Sequence, residues 1–137
     1  MILKEKIITY CLDCEEDVEC LVRQEPFSSK IKGMEITTID TNLYCPKCGG
    51  KLFYYAVAKE NLKNAYDEYK RLNGLLTSDE IIAIRKKYHL SQTKLAKLIR
   101  CGAKNIARYE LGAIQDKPID FLIRILDEHP EYFGIKH

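Results

Sequence analysis

Two spacings of apolar residues divide the chain. Up to about residue 58 the hydrophobic positions come in short runs rich in β-branched side chains: "KIITY" (Lys6–Tyr10), "VECLVRQ" (Val18–Gln24) and "EITTIDTNLYC" (Glu35–Cys45). Such runs predict strands, and Lys32-Gly33 between the second and third predicts a hairpin turn. From Lys59 the period lengthens. Leu62, Ala65, Tyr66, Tyr69 and Leu72 recur at helical spacing and predict a helix over 59–73, stopped by Asn73-Gly74.

Further helices follow at short intervals. "TSDE" has Thr77 at an N-cap and Glu80 three positions on, a capping box opening a helix with Ile81, Ile84 and Tyr88 on one face. Ser91 caps the next, with Leu95, Leu98 and Ile99 as its apolar face. A short helix over 103–111 comes next. Pro118 in a first turn starts the last, which contains Leu122, Ile125 and Leu126 and ends near Pro130. The expected fold is α+β: a small β-rich domain over 1–58, a connecting helix and linker over 59–76, and an all-α domain over 77–137.

Cysteine usage sharpens that division. Five of the six cysteines lie between Cys11 and Cys48. Cys11-x2-Cys14 and Cys45-x2-Cys48 are two knuckles, and two such turns complete a closed four-thiolate shell, the donor set of one structural zinc ion. A region of this size buries little apolar surface and gains from a staple. With all four positions taken by thiolates, no coordination site stays open for catalysis. A dithiol redox centre would need one CxxC in a βαβ context, which neither pair has. No catalytic constellation stands out, so an enzyme is not expected. Cys20 fits neither knuckle and reads as a strand residue. His89, His129 and His137 lie at spacings unsuited to a metal and read as surface residues.

Charge separates the halves again. Residues 1–58 hold seven basic against nine acidic side chains, and residues 77–137 hold eleven against eight. Between Arg85 and Tyr109 there are eight cations and no acid, a local positive field in a chain of net charge +2. The start, "MILKEKIITYCLDC", breaks its apolar run with Lys4, Glu5 and Lys6, unlike a signal peptide, and no apolar stretch is long enough for a membrane span. A cytoplasmic location is expected.

Within the basic interval, "LSQTKLA" (Leu90–Ala96) and "IARYELG" (Ile106–Gly112) resemble the Xre-type, phage-repressor-like helix-turn-helix. The resemblance implies a small apolar core residue at Cys101, which therefore stands apart from the zinc knuckles. Lys104 and Arg108, four apart, share a face opposite Ile106. That face suits a major groove, with Lys104 and Arg108 toward guanine and Asn105 toward adenine or phosphate. Gln92 and Thr93 begin the preceding helix and suit phosphate. Gln92, Thr93, Ala103, Lys104, Asn105 and Arg108 form the candidate DNA-facing set, with Lys94, Lys97 and Arg100 adding salt-dependent affinity.

The order of parts (four-cysteine domain, connecting helix, helix-turn-helix, "LIRILDEHPEYF") resembles the MqsA-type antitoxins, which carry a YgiT-type zinc finger. Shared features include "Leu43-Tyr44-Cys45", "Ile84-Arg85-Lys86-Lys87", "Leu90-Ser91-Gln92", "Arg108-Tyr109-Glu110" and "Leu126-Asp127-x-His129-Pro130". The resemblance implies a structural zinc and an N-terminal domain that binds a toxin of the mRNA-cleaving RNase type. It also implies a C-terminal domain that forms a homodimer and represses transcription at an operator palindrome. This chain departs from the family where Lys104 stands four residues before Arg108 in place of asparagine, which predicts a different operator. The segments "EEDVE" and "QEPFSSKIKGM" on the toxin-facing side are its own. The alternative is a stand-alone Xre-type regulator of phage or mobile-element origin with no toxin partner.

Overall fold

The computed structural model describes residues 6–136; Lys4, Glu5 and His137, discussed above, lie outside the described residues. The order is β1 (Ile8–Cys11), β2 (Glu16–Glu19), β3 (Leu21–Ile31), β4 (Met34–Tyr44), β5 (Lys51–Leu52) and then helices α1 (Tyr55–Leu72), α2 (Ser78–Lys87), α3 (Gln92–Leu98), α4 (Ala103–Glu110) and α5 (Lys117–Glu128). A 3-10 turn, Pro130–Phe133, follows. The mixed α+β architecture agrees with the sequence reading. The chain divides into two compact units, Met1–Ala65 and Tyr66–His137, and the division falls inside α1.

In the first unit β1 and β2 form one antiparallel pair, and β3, β4 and β5 form a second sheet in that order. The segment "VECLVRQ" is not one strand. Val18 pairs with Thr9 of β1, whereas Leu21 pairs with Tyr44 of β4, and the chain changes sheets at Cys20. The β3–β4 hairpin is longer than the β-branched runs suggest, eleven residues on each side. Pro26 sits within β3, which is tolerable because β3 is an edge strand whose missing N–H breaks no second ladder. At the tip, Lys32 and Gly33 take φ of 50° and 80°, the two left-handed residues of a tight hairpin turn. Beyond the short β5, the side chain of Asn61 from α1 takes the place of a strand: its Oδ1 accepts from Thr41 N–H and its Nδ2 donates to Thr41 C=O, both at 2.9 Å.

One hydrogen-bond cluster on this hairpin carries a pH signature. Glu25 accepts from the Tyr44 hydroxyl and from Asn42 Nδ2 (3.0 Å), and the Arg23 guanidinium lies 4.8 Å from the Tyr44 ring. The hydroxyl first, then the amide, hold the Glu25 carboxyl below its usual range; the same bond raises the Tyr44 phenol. A carboxyl depressed on folding adds stability that is fully present above its unfolded pKa and is lost as pH falls through the folded one. A carbon-detected NMR titration should therefore find Glu25 ionising below the ordinary glutamate range. Tyr44→Phe should raise that midpoint, and an unchanged midpoint would refute the assignment.

The second unit is built on helix-end chemistry. Thr77 Oγ1 accepts from Glu80 N–H (3.3 Å) while Glu80 Oε1 accepts from Thr77 N–H (2.9 Å), the capping box read from "TSDE". Ser91 caps α3 through Lys94 N–H (3.0 Å), and Asp116 caps α5 through Ile119 N–H (3.1 Å). α3 ends in a left-handed residue, Arg100 (φ 58°), with Cys101 N–H returning to Ala96 C=O (2.9 Å). Between these ends Ile81, Leu95, Ile106, Ile123 and Leu126 are wholly buried in one core. Each such side chain contributes on the order of 2 kcal/mol by burial.

Two helix faces differ from the pattern. Along α1 only part of the expected stripe is covered: Ala65 is buried and Tyr66 and Tyr69 are half-buried, but Leu62 and Leu72 are about half exposed, and Lys70 is fully buried. In α5 the innermost residues are Ile123 and Leu126, with Leu122 and Ile125 only partly covered. α1 also begins four residues earlier than Lys59, after the aromatic run Phe53-Tyr54.

Candidate metal centre and nucleic-acid interface

Each CxxC is the turn of a hairpin. Cys11 ends β1 and Cys14 precedes β2; Cys45 follows β4 and Cys48 precedes β5. The residue after each second cysteine is left-handed, Glu15 (φ 55°) in the first knuckle and Gly49 (φ 75°) in the second. In the second, Lys47 N–H points at Cys45 Sγ and Gly50 N–H at Cys48 Sγ, both at 3.4 Å, while Cys45 and Gly50 close the loop by N–H to C=O (2.9 Å).

The four sulfurs lie within 4.8 Å of one another. Cys11 and Cys48 are 3.6 Å apart and Cys14 and Cys45 are 3.8 Å apart. An ion held tetrahedrally at ~2.3 Å from each sulfur sets the sulfurs ~3.8 Å apart. Two of the pairs are at that spacing and all lie within 4.8 Å, so the donor set fits a metal ion with small adjustments. The thiols are electrostatically unequal. Backbone N–H groups of Cys48, opposed by burial and helped by Lys47 N–H, bring Cys45 down to about 7, whereas burial and then the neighbouring thiols push Cys14 up to about 12. Val18 and Leu52 pack against the site, and Lys47 pairs with Glu16 at its rim.

The remaining cysteines stand apart. Cys20 is half-buried, donates its N–H to Ile7 C=O (2.9 Å), and its thiol is raised chiefly by burial. Cys101 packs against the helical core, where burial also raises its thiol. His89 is exposed and His129 stacks on Tyr132 at 4.7 Å; neither lies with the cysteines.

In the second unit α3 and α4 are joined by the turn Ile99–Gly102, with Gly102 the N-cap of α4. Ile106 is fully buried and Ala96 nearly so, which brings α4 against α3. Thr93, Ala103, Lys104 and Arg108 are exposed, while Gln92 and Asn105 are half-buried. Of this set Gln92 is turned inward, its Nε2 donating to Glu110 Oε1 (3.1 Å).

Glu110 is the residue that sequence reasoning missed. It is buried and receives Arg85 at both oxygens, Nε to Oε2 at 2.7 Å and Nη2 to Oε1 at 2.9 Å, while Arg85 Nη1 donates to Leu90 C=O (3.1 Å). The carboxylate raises the guanidinium further above its usual range. The eight-cation interval is thereby thinned: Arg85 serves Glu110 and Lys87 pairs with Asp127 (3.0 Å). Lys86, Lys94, Lys97, Arg100, Lys104 and Arg108 stay exposed with no ion pair among the described residues. No helix among those residues is long and apolar enough to cross a membrane.

A family profile described as "Antitoxin component of bacterial toxin-antitoxin system, MqsA" matches residues 8–135. The chain is similar to "Antitoxin MqsA" of Escherichia coli (strain K12), 38% identical over 52 residues, which cover 37% of this chain and 40% of that protein's length.

Proposed function

Because the chain belongs to the MqsA family of antitoxins, we propose that it is the antitoxin of a toxin–antitoxin pair and a transcriptional repressor of its own operon. One zinc ion held by Cys11, Cys14, Cys45 and Cys48 shapes residues 1–58 into the toxin-binding domain. Residues 77–137 form a helix-turn-helix that binds an operator palindrome as a homodimer, and 59–76 connect the two. The four thiolates leave zinc no open position, so its contribution is structural. The single observation that carries the reading is the family match over almost the whole chain.

The DNA half of the proposal is supported by five exposed cations on and between α3 and α4, Lys94, Lys97, Arg100, Lys104 and Arg108. Lys104 and Arg108 would face guanine O6/N7 edges, with Ala103 and Asn105 beside them and Gln92 and Thr93 nearest the backbone. One such helix reads half a site, which is why a two-fold dimer is part of the proposal. The toxin half is supported by exposed apolar residues of the first unit: Phe27 and Phe53 are more than half exposed and, with Leu62, line a groove of about 370 Å³. The partner would be a ribonuclease acting on mRNA, as the family resemblance implies.

Co-expression with the product of the adjacent gene tests both halves together. The wild-type chain should relieve that product's toxicity and co-purify with it. Arg108→Ala should retain that neutralisation while weakening binding to the upstream duplex by about 10- to 100-fold, the worth of one bidentate base contact. A chain that neither co-purifies with nor protects against any neighbouring product would defeat the antitoxin reading.

A further inference from the structure

We infer that Lys70 is a positioning residue for the recognition helix: its buried ammonium fixes the C-terminal end of α4 and so sets sequence discrimination without touching DNA. The inference rests on the DNA-binding reading above. It starts from a side chain that chemistry disfavours where it is found. Lysine is almost never fully buried, yet Lys70 has no exposed surface. Its Nζ donates to Tyr109 C=O at 3.3 Å and lies 3.9 Å from Asp67 Oδ1.

Asp67 in turn accepts from Ser78 N–H (2.9 Å) and Ser78 Oγ (2.6 Å), and Ser78 is itself fully buried at the start of α2. One charge network thus joins the last turn of α1, the first turn of α2 and the last turn of α4. Tyr109 C=O is one of the carbonyls left over at the end of a helix, where a cation is favoured by the helix dipole. It also accepts Gly112 N–H at 3.1 Å, so the lysine holds the closing turn of α4.

Filling the same space with a methionine would cost less desolvation, because a buried ammonium is expensive and a well-packed apolar side chain is not. What the charge adds is a fixed geometry. Arg108 is the residue immediately before the clamped carbonyl. Base-edge hydrogen bonds fail with small displacements, whereas phosphate contacts tolerate them. A loosened α4 end should therefore degrade specific binding more than non-specific binding.

The test compares full-length, metal-loaded wild type, Lys70→Met and Arg108→Ala by fluorescence anisotropy. The probes are the gene's own upstream duplex and a random duplex of equal length, over a salt series, at a temperature where circular dichroism shows each variant folded. Lys70→Met should lower the specific-to-random ratio at least about tenfold, the loss of one base contact. Its salt slope on random duplex should stay at the wild-type value, because Lys70 neutralises no phosphate. If Lys70→Met fails to fold, Lys70→Gln, which keeps a donor, carries the same comparison with a smaller drop. An unchanged ratio in Lys70→Met or Lys70→Gln, with Arg108→Ala impaired, overturns the role of Lys70 and leaves the DNA reading standing. A ratio unchanged by Arg108→Ala overturns the DNA reading itself and this inference with it.

Discussion

Chelating the proposed zinc ion should unfold the first unit and leave the helices of the second intact. The apolar side chains buried around the strands are few: Ile7, Leu43 and Val57 in one group, Val18 with Cys11 and Cys45 in another, and Ile31, Ile36 and Ala65 outside both. β3 is exposed along most of its length, and β4 buries only Ile36, Thr41 and Leu43. At about 2 kcal/mol each, such a core cannot offset the entropy of ordering some 60 residues. A structural zinc site in a small peptide contributes on the order of 10 kcal/mol, comparable to those side chains together. In a proton–nitrogen correlation spectrum, a chelator should collapse the dispersed resonances of Leu21–Tyr44 while those of α2–α5 persist. Cys45→Ser should reproduce the effect. Dithiothreitol should not, since it reduces a disulfide but does not remove a thiolate-bound ion. Persistent strand dispersion in metal-free protein would refute the structural role.

The parts of this fold that the sequence announces are those fixed by local chemistry. Thr77 and Glu80 are three residues apart and form a capping box; Ser91 caps the helix that it begins. Lys32-Gly33 makes the hairpin turn and Gly74, at φ 71°, ends α1. The two CxxC turns bring their sulfurs together because each knuckle lies in the short loop between paired strands, Leu12–Glu15 and Cys45–Gly50. The length of β3 was hidden for a physical reason. An exposed hairpin arm has no buried face, so Arg23 to Lys30 show no apolar alternation, and Pro26 argues against a strand unless its place at the sheet edge is known. Leu62 and Leu72 misled in the opposite sense, since helical spacing identifies a face without saying what covers it.

The candidate DNA surface was legible as a motif, and its supports were not. Arg85 and Glu110 are 25 residues apart, Lys70 and Tyr109 are 39 apart, and no spacing rule links them. Counting charges along the chain treats Arg85 and Lys87 as part of a basic face. Their carboxylate partners, Glu110 and Asp127, lie beyond the Arg85–Tyr109 interval.

Glu110→Ala should destabilise the second unit by about 3–5 kcal/mol, the cost of leaving one buried charge without its partner. The Arg85 side chain is only 16% exposed, so its guanidinium cannot recover hydration when the carboxylate is removed. Gln92 loses its acceptor in the same step. For a unit of this size the loss should lower the melting temperature by more than ~10 °C. Replacing both partners, Arg85→Met with Glu110→Leu, should cost less than Glu110→Ala alone, because no uncompensated charge remains. A double-mutant cycle over Arg85→Met, Glu110→Leu and the pair, followed by urea melts of the metal-loaded protein, measures that coupling. A coupling below ~1 kcal/mol is what an exposed ion pair gives, and it would mean that the end of α4 is held by its apolar contacts and by Lys70. A large coupling assigns the anchoring to Glu110. Restored stability in the paired apolar variant, together with a loss of preference for the upstream duplex, would then separate what Arg85 and Glu110 do for the fold from what they do for the placement of α4.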